Sequence, residues 1–169
     1  MTSVKEAVFA KLDEIGIEYE KYEHEAMFSM EDCEPFDRKI GAMIVKNYFL
    51  STRRTAQPYL CLVRPDAHFN ASDISKQAGS SRLSFGSAEM MHKYLRVYPG
   101  AVSPLGLIFD EEKKVRLLVD EKLLAAERIA FHPCDNTATV AMRGCDFFEK
   151  FLTAIGREFV TVVIHDFAQ

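Results

Sequence analysis

Ala42-Met-Ile-Val-Lys-Asn-Tyr-Phe-Leu50 is the stretch on which the reading of this fold turns. Its β-branched and aromatic side chains favour a strand. A second apolar run, Pro58 to Val63, follows after the polar linker Ser51-Thr-Arg-Arg-Thr-Ala-Gln57. Two strand-like runs joined by such a linker predict a hairpin. Upstream, Ser3 with Glu6 makes a capping box, Val4, Val8, Leu12 and Ile15 keep helical spacing, and Gly16 is a natural stop. Ile17 to His24 reads as a strand, and Ser29 to Lys39, limited by Pro35, as a short helix or loop. Downstream, helices are expected over Ser72 to Ala78 and Ser87 to Leu95, and an amphipathic one over Gly144 to Ile155. Strands are expected at Leu107 to Phe109, Val115 to Val119, Ile129 to Phe131, Thr137 to Met142 and Phe159 to Ile164. Strands and helices intersperse without a βαβ rhythm, which points to a mixed α+β domain occupying residues 1–169 as one unit.

Composition fits that reading. The chain has 169 residues, 48% hydrophobic and 27% charged, enough for a real core and unlike a disordered chain or a coiled-coil rod. No apolar run reaches the 18 residues of a membrane helix, and the N-terminus lacks the apolar stretch of a secretory signal. The expected setting is cytoplasmic, with no membrane partner. Cys33, Cys61, Cys134 and Cys145 form no C-x-x-C pair, so reduced thiols are expected, and His132-Pro133-Cys134 alone is too little for a metal site. No cofactor is expected.

A net charge of −4 argues against general nucleic-acid binding, DNA included, but the charge is segregated. Residues 13 to 37 hold ten acids and one base; residues 38 to 54 hold Arg38, Lys39, Lys46, Arg53 and Arg54 and no acid. This is either a pair of solvated surfaces or a local anion site.

Three segments could carry chemistry. Lys46 interrupts the apolar run, so it either keeps its ammonium in water at a sheet edge or lines a wet pocket. With a two-residue repeat, Ile44, Lys46 and Tyr48 share a face and Asn47 takes the other, so Lys46 and Asn47 meet in one pocket only if the strand bulges or ends there. Gly100-Ala-Val-Ser-Pro104 is either a plain turn or a loop aiming N–H groups at an oxyanion. His132, made extended by Pro133, is either structural or a partner for a water or substrate, with Asn136 and Thr137 supplying turn chemistry. P-loop and G-x-S-x-G signatures are absent.

Taken in order, Val45-Lys-Asn-Tyr-Phe-Leu50, Leu83-Ser-Phe-Gly-Ser87, Pro99-Gly-Ala-Val-Ser-Pro-Leu-Gly106 and Phe131-His-Pro-Cys-Asp-Asn-Thr-Ala-Thr139 resemble the YbaK/prolyl-tRNA synthetase editing-domain family. The F-H-P-x-x-N-T-x-T segment is similar to its free-standing ProX-type members. Tyr48 and Gly86 depart from the family's usual smaller or aliphatic residue and alanine. The resemblance implies a mixed, partly closed β-sheet flanked by helices. It implies a trans-editing deacylase that hydrolyses the ester of mischarged tRNA(Pro), most often alanyl-tRNA(Pro), with prolyl-tRNA synthetase as a candidate partner. By motif, Lys46 matches the family's essential lysine, which would hold the acceptor end, and Asn47 the asparagine beside it. Gly100 and the loop Ala101, Val102, Ser103 and Pro104 match the cradle of the aminoacyl carbonyl, and His132 matches a pocket histidine. Asn136 joins the substrate-binding set, and Arg53 and Arg54 become candidates for tRNA contact. The competing reading is a non-catalytic sensor of an amino acid or charged tRNA.

Overall fold

The apolar run from Ala42 to Leu50 does not make one strand. In the computed structural model, which describes residues 3–26 and 41–165, it is divided between two sheets. Strand β2 (Met43–Ile44) pairs parallel with β7 (Arg128–Phe131), Ile44 facing Ala130. After the single buried residue Val45, β3 (Lys46–Thr52) pairs antiparallel with β4 (Pro58–Val63) in the expected hairpin. The Val45 N–H still bonds the Ala130 carbonyl, 3.2 Å away, so the chain changes sheets within one residue.

The first sheet has the order β1-β8-β7-β2, with β1 (Tyr19–Glu23) and β7 both antiparallel to β8 (Ala138–Arg143). The second runs β5-β3-β4-β6-β9, where β5 is Leu83–Phe85, β6 is Arg116–Asp120 and β9 is Phe159–Val162; β6 is parallel to both β4 and β9. The mixed α+β reading holds, with the strands distributed over two mixed sheets, neither of them a closed barrel.

Helices flank the sheets. Helix α1 (Val4–Ile15) has the expected capping box, Ser3 and Glu6 exchanging two 3.1 Å bonds, and ends at Gly16 with φ 85°. Helix α2 (Ala71–Ala78) covers the second sheet, and α3 (Ala88–Leu95) is capped by Ser87. The C-terminal helix α4 opens with a π-helical turn, Asp146–Phe151, and continues as Leu152–Ala154. The main core gathers Val45 at the crossing, Phe49, Leu60 and Leu62 from the second sheet, and Ile129, Phe131, Val140 and Met142 from the first. A second core of Leu50, Tyr59, Cys61, Val63 and Ile74 lies between the opposite face of the second sheet and α2. Alternation along β3 and β4 therefore feeds two cores.

One expected strand is corrected. Leu107 to Phe109 belongs to a 3-10 helix, Pro104–Phe109. Pro104 supplies its fixed φ at the start and the Ser103 hydroxyl accepts the Leu105 N–H at 3.1 Å, so turn chemistry outweighs the apolar pattern. The segment Ser29 to Lys39 lies outside the described residues. No described helix is long and apolar enough to cross a membrane.

Candidate active site

Lys46 and Asn47 stand at the first two positions of β3, where the chain has just left the first sheet, and both are half-buried. Lys46 opposes Val63 and shares a face with Tyr48 and Leu50; Asn47 shares the other face with Phe49. The Asn47 amide donates back to the Val45 carbonyl at 3.1 Å and so braces the crossing. Its other end is unusual: Oδ1 is buried and meets no donor among the described residues. A buried unpaired carbonyl is costly, and native structures keep few of them. It is a ready acceptor for a hydroxyl or amine brought by a ligand.

The glycine loop lies between α3 and the 3-10 helix. Gly100 takes φ 98°, a conformation costly for any residue with a Cβ. The Ala101 N–H closes the turn onto the Tyr98 carbonyl at 2.9 Å. The N–H groups of Gly100, Val102 and Ser103 meet no acceptor among the described residues. Ala101 and Ser103 are fully buried, Val102 is half-buried and Pro104 is buried. The loop expected to present N–H groups thus has three to offer, and Ala101 is not one of them.

The third segment connects β7 to β8. His132 follows β7, whose Ala130 carbonyl receives the Val45 N–H, so the parallel ladder brings the start of β3 alongside the entrance to this loop. His132 Nδ1 lies 2.8 Å from the Ala138 carbonyl. A carbonyl only accepts, so Nδ1 carries the proton and Nε2 keeps its lone pair. Burial lowers the His132 pKa from 6.5, against the opposing pull of the Ala138 hydrogen bond, and neighbouring His24 lowers it further. The ring is therefore neutral at pH 7. His24 stands edge-on at 6.0 Å, with its Nε2 in a 2.8 Å hydrogen bond with the Thr139 hydroxyl.

Asn136, expected in the substrate-binding set, is buried. Its Oδ1 accepts the Tyr98 hydroxyl at 2.9 Å, and its own N–H donates to the same oxygen at 3.2 Å. Asn136 and Tyr98 tie the histidine loop to the glycine loop. Gly106 is closely packed beside the same loop: an added Cβ there would stand 3.3 Å from Cys134 Sγ and 2.6 Å from the Leu95 carbonyl. Burial, with the nearby Asp135 charge, pushes the Cys134 thiol pKa up, so it stays protonated and is a poor nucleophile. Asp135 behaves oppositely. Burial opposes ionisation, but bonds from the Thr137 hydroxyl and N–H hold its carboxyl below the usual range.

Lys46, the glycine loop and the histidine loop are thus linked through the backbone ladder and the Tyr98–Asn136 pair. Arg53 and Arg54 are not among them. They are exposed in the β3–β4 turn, at the far end of β3, about 20 Å from Lys46 at ~3.3 Å per residue. Arg38 and Lys39 lie outside the described residues. Tyr98 and His24 escaped the sequence reading. Tyr98 adjoins Pro99-Gly100, a hint that something must anchor that turn, whereas nothing in the spacing of His24 pairs it with Thr139.

The chain is also similar to known proteins. The family model described as an aminoacyl-tRNA editing domain matches residues 24–149. The chain is 37% identical over 158 residues to the prolyl-tRNA editing protein ProX of Acetoanaerobium sticklandii, covering 94% of this chain and 96% of that one. It is 30% identical to prolyl-tRNA synthetase associated domain-containing protein 1 of Xenopus laevis, covering 96% of each. A solved structure presented as a candidate trans-editing enzyme for prolyl tRNA synthetase superposes with a TM-score of 0.72 over 98% of this chain and 99% of its own, at 16% identity.

Proposed function

This chain belongs to the aminoacyl-tRNA editing domain family, and from that premise we propose that it is a trans-editing deacylase whose main substrate is alanyl-tRNA(Pro). The carrying observation is the Tyr98–Asn136 tie, which joins a loop with three available N–H groups to a loop bearing a neutral histidine.

An aminoacyl ester is already activated, so its hydrolysis needs a placed water and a stabilised oxyanion more than a protein nucleophile. The water adds to the carbonyl carbon and the oxyanion forms. The N–H groups of Gly100, Val102 and Ser103 are the donors suited to it. The bond to the ribose oxygen then breaks, and that oxygen takes up the proton. Neutral His132 orders the water through Nε2, or the vicinal ribose hydroxyl relays its proton. Lys46 holds a phosphate or ribose of the acceptor end, and the unpaired Asn47 Oδ1 accepts a hydroxyl or the substrate amine. Alanine is smaller than proline, so a tight pocket admits the error and excludes the correct residue by size, where an open one discriminates only about 10- to 200-fold.

The test is deacylation of alanyl-, cysteinyl-, seryl- and prolyl-tRNA(Pro), beside Lys46→Ala. Fast loss of alanine alone, reduced at least a hundredfold in the variant, is expected. Binding without release of amino acid would make the protein a sensor. Activity appearing only with added prolyl-tRNA synthetase would make it a docked module. The cytoplasm, where tRNA is charged, is the place of work that this reading assigns.

A further inference from the structure

On the α2-covered face of the second sheet, three aromatic rings form an assembly that the proposed chemistry leaves unused. Tyr48 and Phe69 stack with centroids 4.1 Å apart and planes 10° from parallel. Phe85 completes the group at 6.2 Å from Tyr48 and 6.3 Å from Phe69, and it is 69% exposed. A solitary exposed phenylalanine needs no explanation, but this one stands, tilted by 36° and 35°, beside the stacked and half-buried Tyr48–Phe69 pair. The groove beside it is lined by Lys76 and Arg82, both exposed, together with Leu50, Ser72, Ser84 and Phe85. Lys46 shares the β3 face of Tyr48, two residues away, or about 7 Å along the strand. That distance is close to the spacing of consecutive phosphates in an extended single strand.

We propose that Tyr48, Phe69 and Phe85 form a stacking platform for the unpaired nucleobases at the 3′ end of the tRNA, with Arg82 and Lys76 beside its backbone. Aromatic faces beside positive charge are the means by which proteins hold single-stranded nucleic acid without reading its sequence. A protein partner would match the exposed apolar ring. It gives no reason for the parallel Tyr48–Phe69 stack on the face of Lys46, nor for the flanking bases, whereas a nucleic-acid strand accounts for both. This inference rests on the editing reading only for the identity of the RNA.

The test is a binding cycle with uncharged tRNA(Pro), intact or lacking its four unpaired 3′ nucleotides, so that no ester hydrolysis is involved. Wild-type protein should lose about tenfold in affinity when the 3′ end is removed. Phe85→Ala should lose a similar factor on intact tRNA and show no further loss on the truncated one. Phe85→Trp should keep the coupling and Phe85→Leu should not, because a flat ring is required rather than apolar bulk. Equal effects of Phe85→Ala on both RNAs would overturn the proposal, as would a Phe85→Leu variant that binds like wild type. Concentration-dependent self-association of the wild type that Phe85→Ala abolishes, with tRNA binding unchanged, would assign the patch to a protein contact instead. Deacylation of alanyl-tRNA(Pro) is measured in parallel. Its absence with the coupling intact would sink the editing reading and leave the platform, and the reverse result would do the opposite.

Discussion

His132 owes its chemistry to two neighbours and to burial. The Ala138 carbonyl fixes which nitrogen carries the proton, and burial holds the ring neutral. A histidine whose pKa is lowered on folding binds its proton more readily in the unfolded chain. Its stabilising contribution is therefore fully present above about pH 6.5, the unfolded value, and is lost as pH falls through the lower folded value. Denaturant unfolding between pH 8 and pH 5 should show wild-type stability falling on the acid side, more steeply than in His132→Gln. If the neutral ring serves the reaction, the deacylation rate has an acid limb with its midpoint below 6.5. A midpoint above that value would remove His132 from the reaction. Asn47 shows how two ends of one amide divide the work. Its Nδ2 braces the sheet crossing, and its Oδ1 is kept available.

At the scale of elements, the glycine loop is held by the helices that flank it. Gly106 sits in the 3-10 helix where an added Cβ would approach the Leu95 carbonyl to 2.6 Å, and that carbonyl, being backbone, does not yield cheaply. Gly106→Ala should destabilise the protein by roughly 1–3 kcal/mol, the usual cost of overpacking. It should also reduce deacylation beyond the loss of folded protein, because the 3-10 helix carries Pro104 and follows Ser103 directly. Urea midpoints and single-turnover rates below the unfolding transition measure the two effects separately. Legibility in the sequence followed the range of the interactions. Helix α1, its capping box and the β3–β4 hairpin rest on contacts between near neighbours, and the pattern exposed them. The division of Ala42 to Leu50 between two sheets is set by Ala130, far along the chain, and no periodicity in the run reveals it. The same holds for the site. Lys46 and His132 stood out as polar residues in apolar or stiff settings, while Tyr98 acquires its role only from Asn136, 38 residues away.

Across the whole molecule, charge works in two ways. On the surface, Arg53 and Arg54 stand apart from the site in an acidic protein. If they contact the tRNA backbone, changing both to Gln should weaken binding and reduce the slope of log affinity against log salt by about one to two units. An unchanged slope would place the tRNA elsewhere. Inside, Arg64 and Asp120 form a buried pair that sequence patterning does not suggest. Arg64 Nη1 lies 2.8 Å from Asp120 Oδ2, Nη2 donates to the Ile164 carbonyl at 3.0 Å, and the Arg64 N–H reaches the same carboxylate at 3.3 Å. The pair thereby joins the chain just after β4 to the last residue of β6 and to the segment that follows β9. Arg157 repeats the device against Asp110, bonding its carboxylate at 2.7 Å and the Val115 carbonyl at 2.8 Å. Removing one member leaves the other buried and uncompensated, so Asp120→Ala should cost about 3–5 kcal/mol. Replacing both partners with apolar residues removes the stranded charge, so Arg64→Met combined with Asp120→Leu should recover much of that loss. Denaturant midpoints for the single and double variants decide it. A double variant less stable than Asp120→Ala would mean that the Arg64 bond to the Ile164 carbonyl, rather than the ion pair, holds these strand ends together.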